Sequence, residues 1–159
     1  MADPKQITFD DVIVDFSAWD RALNAVQKGV SEAIRDLAFL ALDEVQENIV
    51  KNNQIDTGAM KASAFVHMGG ESDSLREQAK AEAAKLAAGP GAKTKGGREF
   101  EAFPSEYTPE TPFEAKVGIS ASYAGPQEKR LAFLGPAADK VREIATKVAQ
   151  DRVSEALGQ

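Results

Sequence analysis

The chain reads as an α+β fold: a long N-terminal helix and a C-terminal helix packed on a small antiparallel β-sheet, with a long arm inserted between two strands. Three observations predict it. Apolar residues recur at helical spacing from Trp19 to Ile49, and again from Ala137 to Leu157. Two short runs, 60–68 and 115–121, instead alternate in the period of a strand. The 159 residues suit a single domain, 1–159, because a chain of that length buries about 68–70% of its unfolded surface.

The first element is β-branched. Ile7-Thr8-Phe9 and Val12-Ile13-Val14, interrupted by Asp10-Asp11, read as one strand or a bent pair. Ser17 then precedes Ala18, Trp19 and Asp20, the Ser-x-x-acid pattern of a capped helix start. From there Trp19, Leu23, Val26, Val30, Ile34, Leu37, Ala41, Val45 and Ile49 form one stripe, opposite Arg21, Lys28, Glu32, Arg35, Asp36, Asp43 and Glu47. A helix from Ser17 to Asn52 is roughly 54 Å long at 1.5 Å per residue, more than one small domain covers. Part of the stripe is therefore expected to meet the final helix and the rest to meet another subunit. Phe39, Leu40 and Leu42 widen the apolar surface in mid-helix, and Gly29 reads as a weak point.

Ile55-Asp56-Thr57-Gly58 reads as a turn, with Gly58 free to take a positive φ. Met60, Ala62, Ala64, Val66 and Met68 alternate with Lys61, Ser63, Phe65 and His67, which predicts a half-buried strand. A second run places Ala115, Val117, Ile119 and Ala121 against Lys116, Gly118, Ser120 and Ser122, and the two strands are expected to pair. The insertion 69–114 begins with an Ala-, Glu- and Lys-rich helix from Ser74 to Ala88 that has few large apolar anchors. Glycines and prolines follow, with Phe100, Phe103, Tyr107 and Phe113 as anchors. This stretch is either an arm that orders against neighbouring subunits or an aromatic-anchored loop of the same chain. Tyr123-Ala124-Gly125-Pro126 reads as a turn, and Phe133-Leu134-Gly135-Pro136-Ala137 opens the last helix with proline at its first position.

Composition narrows the function classes. Zero cysteines exclude disulfides, thiol nucleophiles and cysteine metal sites. His67 is the only histidine, which excludes multi-histidine zinc or iron sites, and it reads as a plain surface histidine on a strand. Neither an Asp-x-Asp-x-Asp-Gly loop nor a phosphate-cradling glycine loop is present, so no cofactor and no enzyme activity are expected. No apolar run approaches the roughly 20 residues of a membrane span, and Met1-Ala2-Asp3-Pro4-Lys5 lacks the apolar stretch of a signal peptide. A cytoplasmic start with no membrane partner is the expectation. The net charge of −6 argues against a surface that grips nucleic acid throughout. Lys93, Lys95 and Arg98, set among glycines, are the local exception, suited to touching DNA or an acidic partner, or else a solvated loop tip.

The order strand, long helix, Thr57-Gly58, strand, insertion, strand, Tyr123-Ala124, Phe133-Leu134-x-Pro136-Ala137, helix resembles the tail-component family of long-tailed phages, the neck or tail-completion proteins. These eight residues match the family motifs, and the resemblance covers most of the chain except 69–114. After the Tyr-Ala the family continues toward a Glu and a Gly-Thr pair, whereas this chain has Gly125-Pro126-Gln127-Glu128-Lys129, with Glu128 a loose counterpart. Arg130-Leu131-Ala132 replaces the proline expected before Phe133.

The resemblance implies a structural virion protein at the head–tail junction. It would be a homo-oligomeric ring, of six copies by analogy, that meets portal-side connector or stopper proteins on one side and the tail terminator or tail tube on the other. DNA would pass through its channel without specific binding. Trp19, Leu37, Phe39, Leu40, Phe100, Phe103, Tyr107 and Phe113 are the candidate subunit contacts. The alternatives are a tail terminator or minor tail protein and, from another class, a cytoplasmic helix-dimerised adaptor that touches DNA through Lys93, Lys95 and Arg98.

Overall fold

Strands β1 (Gln6–Phe9) and β2 (Val12–Asp15) lead into helix α1 (Ser17–Lys51), the spine of the molecule. A helical turn α2 (Ala59–Ala62), strand β3 (Ala64–Met68) and helix α3 (Ser74–Ala88) follow. Strand β4 (Ala115–Ile119), short helix α4 (Ala124–Arg130) and long helix α5 (Leu134–Leu157) complete the order. The computed structural model describes residues 6–9, 12–54, 58–69, 74–88, 109–121 and 123–158. Of the sequence-predicted residues, Thr57, Lys93, Lys95, Arg98, Phe100, Phe103 and Tyr107 lie outside the described residues.

The N-terminal run is the pair of the two readings: β1 and β2 are antiparallel, with Ile7 opposite Val14 and Phe9 opposite Val12. α1 begins one residue earlier than a Ser17 cap requires. Phe16 holds the N-cap position and Ser17 lies in the first turn, where its carbonyl accepts from Arg21 Nε at 3.3 Å. At the other end Asn52 caps the helix, as the sequence predicts, and Asn53 takes φ 52°, a left-handed conformation that asparagine tolerates better than most residues.

α1 and α5 run antiparallel. Asp36 meets Arg152, Glu44 meets Lys140 and Asn48 meets Phe133, so residue numbers rise on one helix as they fall on the other. The two backbones come close at Gly29, where a Cβ would stand 2.8 Å from both the Arg152 carbonyl oxygen and the Val153 Cα. Gly29 is thus a packing residue and not the weak point its helix propensity suggests. The side chain it lacks is what lets the two backbones touch.

The small sheet pairs β3 with β4 antiparallel, as expected, with Phe65 opposite Gly118 and His67 opposite Lys116. Two sequence expectations fail here. Met60 and Ala62 belong to the helical turn α2 rather than to the strand, and all five residues of β3 are buried rather than alternate ones. The reason is a second cover: α1 packs on β3, and α3 packs on β3 and α2 as well, with Ala83 fully buried in the main core. Phe65 fills the space over Gly118, where a Cβ would lie 2.8 Å from its ring. His67, expected at the surface, is only 6% exposed.

The insertion is therefore built into the body at both ends. Its helix α3 matches the predicted 74–88, yet it is a wall of the core, not part of a projecting arm. At the far end the Gly69 N–H donates to the Glu114 carbonyl at 3.1 Å, and the Glu114 N–H donates to that of Thr111 at 3.2 Å. Gly69 lies so close to the Thr111 backbone that no larger residue fits. Ser63, fully buried, ties α2 to the end of β4: its hydroxyl donates to the Met60 carbonyl at 2.9 Å and accepts from the Ala121 N–H at 3.2 Å.

Among the described residues the core forms two clusters. The larger gathers Val45, Ile49, Met60, Ala64, Ile119, Phe133 and Ala137 at the C-terminal end of α1. The smaller places Ala38, Val66 and Met68 at mid-helix, with Ile34, Phe39 and Leu42 against it. Among the described residues no helix is long and apolar enough to cross a membrane.

Candidate functional site at the α4–α5 corner

The chain turns sharply between α4 and α5, and this corner holds most of the motif residues. Tyr123-Ala124-Gly125-Pro126 is not a free turn: Tyr123 is the N-cap of α4, and Pro126 is its third residue. α5 repeats the design, with Phe133 as N-cap, Leu134 and Gly135 next, and Pro136 third rather than first. Proline is accepted at the third position because the first amides of a helix have no intrahelical acceptor in any case.

Those orphan amides need partners, and Glu128 supplies them. Its Oε2 accepts from the Phe133 N–H at 2.8 Å and the Leu134 N–H at 3.0 Å, while Oε1 accepts from the Gly135 N–H at 3.2 Å. A carboxylate at the positive end of α5 is favoured by the helix dipole as well. The corner carbonyls are collected from the opposite side by three amide side chains at the end of α1. Asn48 Nδ2 donates to the Phe133 carbonyl at 3.1 Å, Asn52 Nδ2 to that of Ala132 at 2.9 Å, and Gln54 Nε2 to those of Leu131 at 3.2 Å and Gln127 at 3.3 Å. Phe133 is the apolar plug of this polar clamp, 0% exposed, with Ala124 and Ala137 buried beside it and Tyr123 and Leu134 packed at the edge.

Gly58, on the other branch of the motif, holds φ 81° at the N-cap of α2, as its predicted positive φ requires. Its neighbour Ala59 enters the same core cluster as Ala124, Phe133 and Ala137. Pro136 is exposed. Motif residues from Tyr123 to Ala137 thus meet around one end of α1, with Gly58 joined to them through Ala59. Sequence reasoning missed Glu128, Asn48, Asn52 and Gln54 as the residues that hold them there. The signal available was an amide-rich helix end and an acid a few residues ahead of an aromatic-Leu-Gly-Pro segment.

The candidate subunit contacts fall into two groups. Leu37, Phe39 and Leu40 are half-buried, with Phe39 against the smaller core cluster and the Arg35 guanidinium 5.8 Å above its ring. Trp19 is 70% exposed and Leu23 56%, while Phe113 is 41% exposed near the start of β4. The geometry explains Trp19 and Leu23. α5 continues only four residues beyond Val153 (157 − 153), whereas α1 extends twelve residues before Gly29 (29 − 17), so the first two turns of α1 overrun their partner.

Ion pairs line the rest of the α1–α5 seam. Lys140 on α5 donates to Glu44, a largely buried carboxylate on α1. Arg152 donates from Nε to Asp36 at 2.6 Å and from Nη1 to Glu155 at 2.8 Å. The hydrogen bond that Lys140 donates to Glu44 raises its ammonium above the ordinary value, and those that Arg152 donates to Asp36 and Glu155 do the same for its guanidinium. On α1 itself, the Lys51 hydrogen bond lowers the Glu47 carboxyl. Near Arg152 an open groove of about 400 Å³ is lined by Lys28, Glu32, Arg35, Asp36 and Glu155, with charges of both signs. Among the described residues no three His, Asp or Glu side chains gather in a way that could hold a metal ion.

No family model, no curated protein and no solved structure matches the chain.

Proposed function

We propose that this chain is a structural virion protein of the phage head–tail junction, a neck or tail-completion component made in the host cytoplasm. It assembles with copies of itself into a ring, of six by analogy with the family it resembles. The ring joins portal-side connector or stopper proteins to the tail terminator or tail tube, and DNA passes through its channel without specific binding. The observation that carries this reading is the convergence of the motif residues: Tyr123, Ala124, Phe133, Leu134 and Ala137, scattered in sequence, gather in one core cluster at the end of α1, which Ala59, next to Gly58, also joins. The exposed overrun of α1 at Trp19 and Leu23 supports the subunit-contact part of the proposal, since large apolar residues contiguous on one helix face are characteristic of interfaces. The net charge of −6 suits a channel that repels phosphate.

Native mass measurement of the purified protein, together with electron microscopy of phage particles, tests it. A ring between capsid and tail is the expected result. A monomer absent from particles overturns the proposal, and a ring at the end of the tail tube replaces it with the tail-terminator reading. Salt-dependent DNA binding that vanishes when Lys93, Lys95 and Arg98 are replaced would favour the cytoplasmic adaptor instead.

A further inference from the structure

No further inference is drawn: the strongest candidate, the exposed apolar face of Trp19 and Leu23 where α1 runs past the end of α5, carries nothing beyond the proposed subunit contact because nothing in the structure shows what covers it.

Discussion

The two ends of α1 carry the same apolar spacing and have opposite fates. At the C-terminal end Val45 and Ile49 are buried under Phe133 and Ile119, and the last turn is fastened by three amide side chains to the α4–α5 corner. At the N-terminal end Trp19, Leu23 and Val26 continue the stripe with no comparable cover, and Val26 is still 36% exposed. The difference lies in what the rest of the chain brings to each end, since the helix itself is continuous. Periodicity specifies which face of a helix is apolar, whereas burial depends on the reach of its partners.

The largest effect should come from the clamped end. Phe133→Ala removes a fully buried ring from the meeting point of α1, α4 and α5. Replacements of this kind cost about 3–5 kcal/mol. Urea unfolding should report a loss of that size, while Trp19→Ala should stay within about 0.5 kcal/mol, as for a surface substitution. Equal losses at both sites would mean that the N-terminal turns are as well packed as the C-terminal ones, and the comparison would collapse.

Gly29 lies between the two regimes, and there the α5 backbone leaves no room for a side chain. Helix propensity alone says that Gly29→Ala gains about 1 kcal/mol. The new methyl, however, would meet Arg152 and Val153 backbone atoms, which cannot rotate away as a side-chain tip could. Overpacking of a close-packed contact costs about 1–3 kcal/mol, so net destabilisation by roughly 1–2 kcal/mol is expected, with weaker α1–α5 contact. A thermal midpoint that rises would show that the helices have slack at this crossing.

The clamp itself sets the next effect. Glu128→Gln keeps the shape of the side chain but leaves one oxygen for three N–H groups and turns an NH₂ group toward donors. A loss of about 1–2 kcal/mol is expected, typical of a removed helix cap. Amide hydrogen exchange should localise it: Phe133, Leu134 and Gly135 should exchange faster while the first turns of α1 are unchanged. Uniform acceleration across α1 would mean that the corner is not an independent fastening.

How much of this was legible in the sequence depends on element length and on who covers whom. α1, α3 and α5 announce themselves because each spans several turns of helical pattern or propensity, and the predicted 74–88 coincides with α3. α2 and α4, of four and seven residues, are too short to show a period, so from sequence Met60 reads as strand and Pro126 as turn. The alternation across β3 predicts one buried face, but an alanine-rich helix gives no sign that it will pack on the same strand as α1 and leave all five residues buried. The polar clamp was hidden for a different reason. Asn48, Asn52 and Gln54 act on backbone groups some 80 residues away (Asn52 to Ala132), and such pairings have no local signature. Glu128 acts only five to seven residues ahead, but it needs the α4–α5 corner to be formed before its role shows.

The smallest effects concern charge, and they separate the ends of the pH scale. Glu44 raises the folded-state pKa of Lys140 above 10.5, so the stabilisation from this pair is fully present below the unfolded value and fades as pH climbs through the folded one. Lys51 lowers Glu47 below 4.5, and there the sign reverses: the contribution is present above the unfolded value and fades as pH falls through the folded one. Both lysines are well exposed, with side-chain accessibilities of 52% and 63%, so each pair should shift the thermal midpoint only slightly. Lys140→Met should chiefly flatten the alkaline limb of a midpoint–pH profile and Glu47→Gln chiefly the acid limb, each with a smaller effect on the other limb because Lys140 and Glu47 also attract each other. Because Lys140 joins α5 to α1 while Lys51 and Glu47 share one helix, only the first variant should also loosen α1–α5 contact in hydrogen exchange. If neither variant alters its limb, the seam at the clamped end is held by burial and amide hydrogen bonds alone, and its ion pairs add nothing to the contrast with the exposed end.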